Sequence, residues 1–290
     1  MKVALLPNLT RERAPEVTLD ICHWLDKYGA EYAMLENYDD TLLQVESMNT
    51  MSEETLLSWC DVVITVGGDG SMLMAAKRTV EYQKPVLCIN AGRLAFMAGL
   101  ESNELELLKD LLNGNYHWDK RMLLDVTLER NGKIILKDRA INDVVLARGE
   151  QMKMTDLVVN CNGRKILKYH ADGMIVATPT GSSGYSLSAG GPVVNPVIEA
   201  IVVTPICAHS LFNRSIVFNS DDEITLVCDE NTTYYDLLLS VDGDTSVSIT
   251  KGDIITIRKS ELYANFIRIK NDSFFEILNK KLAGLEGSAR

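Results

Sequence analysis

The stretch Val62-Val63-Ile64-Thr65-Val66-Gly67-Gly68-Asp69-Gly70 decides the fold of this chain. Its first five residues are β-branched and uncharged, which predicts a strand buried on both faces of a parallel sheet. Ligands bind beyond the carboxyl ends of such strands, so the glycine turn is expected at a ligand site. Glycines there let the backbone approach a phosphate group closely, and the carboxylate of Asp69 is expected to face the ligand.

The same turn has a simpler interpretation. The glycines could only close a tight strand-to-helix connection, with Asp69 capping the helix. Ser71 is also expected to cap a helix, over residues 71–77. Two nucleotide motifs are excluded, because no G-x-x-x-x-G-K-[ST] occurs and residues 68–73 lack the third glycine of the Rossmann fingerprint. The turn alone therefore leaves both interpretations open.

Length and charge narrow the class of protein. The 290 residues are 46% apolar, which is enough for a sizeable core and fits two domains. A net charge of −11 opposes binding to nucleic acids and to anionic membrane surfaces. A small anionic ligand would need local donors, such as Arg93, Lys153, Arg214 or glycine-turn amides. No signal peptide or membrane span is predicted, so a cytoplasmic location is expected.

Cysteine and histidine spacing predicts no resident metal site. The six cysteines form no C-x-x-C pair, and the four histidines form no H-E-x-x-H motif. Buried thiols are therefore expected rather than a zinc site or a disulfide framework, and no residue is assigned as a metal ligand. A Mg²⁺ ion carried by a nucleotide would need few protein ligands.

The pattern along the chain changes near residue 116. Strand-like and helix-like segments alternate over residues 1–115, which predicts a doubly wound α/β domain. Within it a helix is expected over residues 103–112, and the loop at residues 90–96 is expected at the same sheet edge as Asp69. Residues 116–268 are expected to form a β-rich, mostly antiparallel, sandwich-like domain, because short strands alternate with turn pairs. These pairs are Asn131-Gly132, Asn162-Gly163, Asp172-Gly173 and Asp242-Gly243. Residues 269–290 are expected to pack back on the first domain.

A second unusual stretch runs from His170 to Pro192. It reads His170-Ala171-Asp172-Gly173-Met174-Ile175-Val176-Ala177-Thr178-Pro179-Thr180-Gly181-Ser182-Ser183-Gly184-Tyr185-Ser186-Leu187-Ser188-Ala189-Gly190-Gly191-Pro192. Its small glycine and hydroxyl residues leave room for a planar ligand and offer hydrogen bonds, and Tyr185 could stack on a base or hold a ribose. The alternative is a Gly/Ser crossover from a strand to a helix, which the length and order of the stretch disfavour.

These two stretches resemble the NAD kinase family, which combines a G-G-D-G turn with a D-G-x-I-x-x-T-P-T-G-S-T-A-Y-x-L-S-A-G-G-P segment. Both occur here in the family's order. Shorter similarities lie at residues 90–96, Asn142-Asp143, residues 206–216 and residues 240–244. The resemblance runs from about residue 60 to residue 244.

The resemblance implies an NAD kinase-like α/β domain followed by a β-rich domain, with the active site between them. It implies transfer of a phosphoryl group from ATP or polyphosphate, with Mg²⁺, to the adenosine ribose 2′-hydroxyl of NAD, giving NADP. Asp69 would accept the proton. It also implies a homo-oligomer, a dimer or tetramer, in which a neighbouring subunit's Asp172 completes the site.

Several further residues are expected to bind substrate by the same resemblance. Gly70 would contact the nucleotide, Asn142 and Asp143 the adenosine of NAD, and His170 and Asp172 its nicotinamide end. The adenine and ribose would be bound by Ser183, Gly184, Tyr185, Ser186, Leu187 and Ser188. Lys153, His209 and Asp244 complete the set, although His209 could equally be a core histidine. Arg93 and Arg148 are assigned no role.

The chain departs from the family pattern at five places. Ser183-Gly184 replaces Thr-Ala, Asp143 replaces Glu, Ala95 replaces Gly, Ala208 replaces Pro, and Asp244 replaces Gln. The change at Asp244 trades an amide donor for an acceptor-only anion, which puts that ligand contact in question.

Two other functions fit part of the pattern. Lipid kinases of the diacylglycerol and sphingoid type share a G-G-D-G-type turn, but this acidic chain shows no basic amphipathic surface helix. A non-catalytic dinucleotide sensor would have the same fold, and the presence of Asp69 argues against it.

Overall fold

A computed structural model describes residues 1–36, 48–92, 95–150, 153–229, 236–271 and 273–279. The chain forms two compact units, one of Met1–Lys120 with Ala264–Arg290 and the other of Arg121–Tyr263. The chain leaves the first unit within the strand His117–Arg130 and returns within the strand Ile254–Arg268. Each unit has its own apolar core.

The first unit alternates strands and helices, as predicted. Its elements are β1 Lys2–Pro7, α1 Ala14–Lys27, β2 Glu31–Leu35, β3 Asn49–Met51, α2 Glu53–Trp59, β4 Val62–Gly67, α3 Asp69–Thr79, β5 Val86–Asn90, β6 Leu100–Glu101 and α4 Leu108–Leu112. The strands pair in parallel in the order β3-β2-β1-β4-β5, with β6 added on β5. The strand order reverses between β1 and β4, which makes that point the switch of a doubly wound sheet.

Two helices differ from their predicted bounds. Helix α3 begins at Asp69 rather than Ser71, because Gly68 supplies the extended N-cap and its carbonyl accepts the amides of Ser71 and Met72. The predicted helix over residues 103–112 is a 3₁₀ turn, Leu105–Leu107, followed by α4. Leu105, Leu108 and Leu111 still form one buried stripe at helical spacing.

The second unit is almost entirely antiparallel β. Its elements are β7 His117–Arg130, β8 Lys133–Ala140, β9 Asp143–Arg148, β10 Thr155–Cys161, β11 Arg164–Ala171, β12 Gly173–Ala177, α5 Tyr185–Ser188, β13 Ala200–Ile206, β14 Ile216–Asn219, β15 Ile224–Cys228, β16 Leu237–Val241, β17 Thr245–Ile249 and β18 Ile254–Arg268. One sheet contains β11-β10-β15-β18 with β7 and β8, and the other has the order β14-β13-β12-β9-β16-β17.

A shared core joins these two sheets into a sandwich. On β9, Val144 and Leu146 enter that core, whereas Val145 packs on the opposite face with Ile175 and Val202. This alternation is the period-two pattern of a strand covered on both faces. The predicted fold class, an α/β domain followed by a β-rich sandwich, is confirmed.

Three of the four predicted turn pairs are confirmed as turns between paired strands. Both residues of Asn131-Gly132, Asn162-Gly163 and Asp242-Gly243 have φ values between +50° and +74°. The first two pairs form two-residue hairpin turns, which require such values. Asp242-Gly243 belongs to a three-residue turn that also includes Asp244. The prediction for Asp172-Gly173 is wrong, because Gly173 begins β12. A Cβ atom there would lie 2.5 Å from the Leu146 carbonyl oxygen, so glycine allows close strand pairing rather than a turn.

The remaining predictions concern the tail, the cysteines and the membrane. Residues 274–279 are helical, and the later part of the predicted tail lies outside the described residues. Cys22, Cys60 and Cys88 are buried thiols, whereas Cys207 is exposed, contrary to the expectation for it. In the described part of the chain, no helix combines the length and the apolar character needed to cross a bilayer.

Candidate active site

Asp69 lies at the switch point of the first unit's sheet. It is the first residue of α3, is partly buried, and accepts a 3.0 Å hydrogen bond at Oδ1 from the backbone amide of Met97. The helix N-cap is Gly68, so the interpretation of Asp69 as the capping residue is wrong. A carboxylate in the first turn is also favoured by the helix dipole.

The glycine turn holds Asp69 by close backbone packing. A Cβ atom on Gly67 would lie 2.5 Å from Ser71 Oγ, which explains the need for glycine at this position. That hydroxyl accepts a 2.8 Å hydrogen bond from Asn8 Nδ2, at the end of β1. Ser71 therefore ties the turn to β1 instead of capping the helix. Gly70, the predicted nucleotide contact, is exposed beside Asp69.

The loop after β5 lies at the same edge, as predicted. Asn90 pairs with Gly67 in the sheet register, and Met97 contacts Asp69. Asn90 is buried and anchors the loop through hydrogen bonds to Glu101 (2.8 Å) and from the Gly92 amide (3.1 Å). Arg93, a candidate anion donor in this loop, lies outside the described residues.

In the second unit, the predicted ligand residues fall into two groups at opposite ends of β12. The "Asp143 edge" comprises Asn142, Asp143, residues 178–188 and residues 242–244, where β9 begins and β12 ends. The "Asp172 edge" comprises Arg148, His170, Asp172 and His209. The five residue steps from Asp172 to Ala177 separate the two edges by roughly 17 Å.

Asp143 has an unusual electrostatic environment at the first edge. It is buried, and its neighbour Asp242 accepts hydrogen bonds from the amides of Ile141 (2.8 Å), Asn142 (2.8 Å) and Asp143 itself (3.1 Å). Burial and then the charge of Asp242 raise the pKa of the Asp143 carboxyl from 3.8 to about 7. Asp143 is therefore a carboxyl group able to change protonation near neutral pH.

The segment at residues 178–188 wraps tightly around Asn142. The Thr178 amide donates to the Asn142 carbonyl at 2.9 Å, and a Cβ atom on Gly181 would lie 2.0 Å from that same oxygen. The segment then forms a 3₁₀ turn, Thr180–Ser183, and the one-turn helix α5. The stretch thus does make a strand-to-helix crossover, and it also builds a surface beside Asp143.

The predicted ligand residues of this segment differ in exposure. Gly184, Tyr185 and Ser188 are exposed, and Ser183 and Leu187 are partly buried. Ser186 is fully buried, and its hydroxyl lies 2.9 Å from Thr204 Oγ1. Ser186 therefore supports the segment from inside the fold, whereas Tyr185 presents an aromatic ring on the surface. Asp244 is exposed in the turn after β16.

The Asp172 edge contains an ion pair and a histidine–carboxylate contact. Arg148 Nε lies 2.8 Å from Asp172 Oδ1, and His170 Nδ1 lies 2.8 Å from Asp156 Oδ1. The His209 amide donates to the His170 carbonyl at 2.8 Å, and the His209 side chain is exposed, so the core-histidine alternative is wrong. Lys153, which precedes β10, is exposed as well.

Sequence reasoning missed Arg148 and Asp242 as site residues. Arg148 is opposite Asp172 only because β9 pairs with β12, and the carboxylate of Asp242 turns back onto the start of β9. The Asp242-Gly243 pair predicted the turn, but nothing in the sequence indicated which backbone amides would donate to the Asp242 carboxylate. Over the described ranges, no three His, Cys, Asp or Glu side chains group to hold a metal ion.

Comparison with known proteins gives matches along nearly the whole chain. The ATP-NAD kinase N-terminal domain model matches residues 3–116, and the ATP-NAD kinase C-terminal domain model matches residues 141–269. An NAD kinase of Caldanaerobacter subterraneus is 38% identical over 283 residues, covering 97% of this chain and 98% of that protein. An NAD kinase of Magnetococcus marinus is 36% identical over 287 residues, covering 97% and 92%.

Two solved structures share the fold. Yeast NADH kinase complexed with NADH superposes with a TM-score of 0.88 at 24% identity, covering 98% of this chain and 87% of that one. An NAD kinase from Archaeoglobus fulgidus in complex with ATP gives 0.74 at 24% identity, covering 98% and 99%. At this identity the likeness establishes the fold alone.

Proposed function

Because the chain belongs to the NAD kinase family, we propose that it phosphorylates the adenosine ribose 2′-hydroxyl of NAD to give NADP. ATP or polyphosphate is the phosphoryl donor. The observation that carries the proposal is the position of Asp69: a carboxylate oriented by the Met97 amide, at the sheet's switch point, beside the exposed Gly70. Family membership supports the identity of the substrates.

The chemistry follows from this arrangement. The 2′-oxygen attacks the γ-phosphorus of the donor, the bond from that phosphorus to the bridging oxygen breaks, and Asp69 accepts the hydroxyl proton. Phosphoryl transfer depends mainly on positioning and on stabilisation of charge. Amides of the glycine turn at the start of α3 suit a phosphate group, so they supply part of that stabilisation.

The second unit is proposed to bind the acceptor. At the Asp143 edge, Asn142 and Asp143 offer hydrogen-bonding groups, and Tyr185 offers an exposed ring for the adenosine. At the Asp172 edge, Asp172 and His170 are proposed to bind the nicotinamide end, held in place by Arg148 and Asp156.

The proposed Mg²⁺ enters as part of the donor substrate. Mg²⁺ is commonly bound through substrate phosphates and one or two carboxylates, so it requires no dedicated protein cage. The requirement for Mg²⁺, the homo-oligomer and the cytoplasmic location stay predictions.

The direct test is conversion of NAD to NADP by the purified protein, detected with an NADP-specific dehydrogenase. ATP, other nucleoside triphosphates and polyphosphate are compared as donors, with and without Mg²⁺, and NADH is compared as acceptor. No NADP with any donor, despite tight NAD binding, would favour a dinucleotide sensor. Phosphorylation of diacylglycerol or a sphingoid base would instead establish a lipid kinase.

Asp69→Asn tests the proton acceptor. The amide keeps the size of the side chain but cannot accept the proton, so kcat should fall by roughly 10²–10⁴-fold with little change in NAD affinity. Asp20→Asn, which alters an exposed acid on α1, serves as the control. Near-normal turnover of Asp69→Asn at saturating NAD would reduce Asp69 to a positioning residue.

A further inference from the structure

Arg268, the last residue of β18, is a largely buried cation in the first unit. Its side chain is 16% exposed, and its Nε lies 3.0 Å from Oδ2 of Asp119, which is 14% exposed. A guanidinium group cannot give up its proton, so its burial requires partners for its donors. Asp119 supplies one of them.

The two terminal nitrogens of the Arg268 guanidinium group bind the "Met97 loop", residues 95–99. Nη1 donates to the carbonyl of Ala98, and Nη2 donates to the carbonyl of Phe96 at 3.4 Å. The end of this loop also packs directly on β18, because a Cβ atom on Gly99 would lie 2.8 Å from the Ile267 carbonyl oxygen. Close backbone packing therefore fixes the loop against the C-terminal end of β18.

One peptide group connects Arg268 to Asp69. The carbonyl of Phe96 and the amide of Met97 belong to the same trans peptide unit, so they point in opposite directions. Arg268 donates to the carbonyl, and Asp69 accepts from the amide at 3.0 Å. The positive and negative groups both align with the peptide dipole, and hydrogen bonds in such a chain strengthen one another.

We propose that Arg268 is a positioning residue for the catalytic carboxylate of Asp69, acting through the Phe96–Met97 peptide group. This inference rests on the proposed function, because Asp69 is the proton acceptor of that reaction. A carboxylate displaced by even about 1 Å can lose roughly 10²-fold in rate, so the orientation of the Met97 amide matters to catalysis.

The principal test compares Arg268→Met with a matched control, Arg130→Met. Arg130 also binds a carboxylate, Asp253 (2.8 and 2.7 Å), and a carbonyl, Ser248 (2.8 Å), but it does so in the second unit. Both substitutions should lower the melting temperature. Only Arg268→Met should lower kcat, by about 10- to 100-fold, with KM for NAD changed less than about threefold.

A double-mutant cycle then separates positioning from a general loss of structure. If Arg268 acts through Asp69, Arg268→Met should cost much less in kcat when Asp69 is already Asn, because coupled residues are not additive. Equal losses in both backgrounds, or a kcat for Arg268→Met equal to that of Arg130→Met, would overturn the inference.

The outcomes also distinguish this inference from the proposed function. A wild-type protein that makes no NADP refutes the function itself, whereas an active wild type with additive variants refutes only the role of Arg268. If circular dichroism shows that Arg268→Met does not fold, Arg268→Lys goes through the same cycle. Lysine keeps the charge beside Asp119 but lacks the guanidinium fork. Arg268→Lys should therefore also lower kcat and also be non-additive with Asp69→Asn, but both effects should be smaller.

Discussion

At the residue scale, Asp143 shows how burial, and then a charged neighbour, can raise the pKa of a carboxyl group. Three amides stabilise the carboxylate form of Asp242, so its negative charge stays beside Asp143. Burial has the larger effect: Asp143 is only 8% exposed, so a negative charge on its side chain is costly even without Asp242. The result is the pKa of about 7.

This raised pKa makes the stability of the fold depend on pH. The folded-state pKa of Asp143 lies above its ordinary value of 3.8, so the folded chain binds the proton more tightly. Its contribution to stability is fully present below pH 3.8 and is lost as pH rises through about 7. A pKa difference of this size changes the free energy of unfolding by at most about 4 kcal/mol between low and high pH.

Asp143→Asn should remove this dependence, because the amide stays neutral at every pH. The variant should unfold at higher urea concentration than wild type at pH 8, and the difference should shrink towards pH 5. Urea unfolding at both pH values measures it, with Asp20→Asn as the exposed control. The same pH trend in wild type and Asp143→Asn would contradict the assignment.

Individual site residues were predictable where the signal was local. A buried strand followed by glycines located Asp69, and the next strand located the loop at residues 90–96 at the same sheet edge. Asp242, Arg148 and Arg268 were not predictable, because their partners lie about 24 to 172 residues away in sequence and meet only through strand register. Charge and residue type alone do not reveal such pairings.

At the element scale, the tight turn after β12 shapes the Asp143 edge. Thr178 donates its amide to Asn142 and its hydroxyl to the Ile141 carbonyl (2.6 Å), and it accepts the Gly181 amide at 3.1 Å. These hydrogen bonds hold the turn against the backbone that precedes β9. Gly181 is then the position with the least room for a side chain.

Gly181→Ala should therefore disturb both stability and NAD binding. The added methyl group would lie 2.0 Å from the Asn142 carbonyl oxygen, so the backbone of one segment must move. Overpacking of this kind typically costs about 1–3 kcal/mol. The measurements are urea unfolding and NAD titration, with Gly92→Ala as the stability control because its Cβ would enter open space. If Gly181→Ala kept the stability and the NAD affinity of the wild type, the turn would be more adaptable than its contacts indicate.

Elements with strong periodicity were predictable from the sequence, and their ends were less so. In α1 the buried apolar residues from Ala14 to Leu25 keep helical spacing that is visible in the sequence, and Gly29, with φ of +68°, follows the end of the helix. The start of α3 was misplaced because the Gly68 backbone, rather than a serine hydroxyl, provides the N-cap. The turn predicted at Asp172-Gly173 was wrong because a glycine can serve close strand pairing as well as a turn.

At the scale of the whole molecule, the separation of the two edges of the second unit bears on assembly. Asp143 and Asp172 lie at opposite ends of paired strands, roughly 17 Å apart by strand rise. If both edges serve NAD, one arrangement is a homo-oligomer in which the Asp172 edge of one chain completes the site of another. The family resemblance implies the same arrangement.

Mixed oligomers provide the test of a shared site. Asp172→Ala should raise KM for NAD more than it lowers kcat, since it removes a binding contact and leaves Asp69 intact. Asp69→Asn should do the reverse. When the two variants are unfolded and refolded together, some sites should combine the intact Asp69 of one chain with the intact Asp172 of another. Those sites should regain activity at low NAD, and the gain should disappear on dilution below the dissociation constant of the oligomer.

The controls are the two variants refolded separately and then combined without exchange, which should give only the sum of their activities. Activity of the co-refolded mixture above that sum requires residues from different chains to act in one site, because neither variant carries both intact residues. Mixtures that never exceed the sum, or full activity from a protein that sediments as a monomer, would contradict the shared site. Asp172 would then have to act within its own chain, and its ion pair with Arg148 would be the remaining explanation for its position.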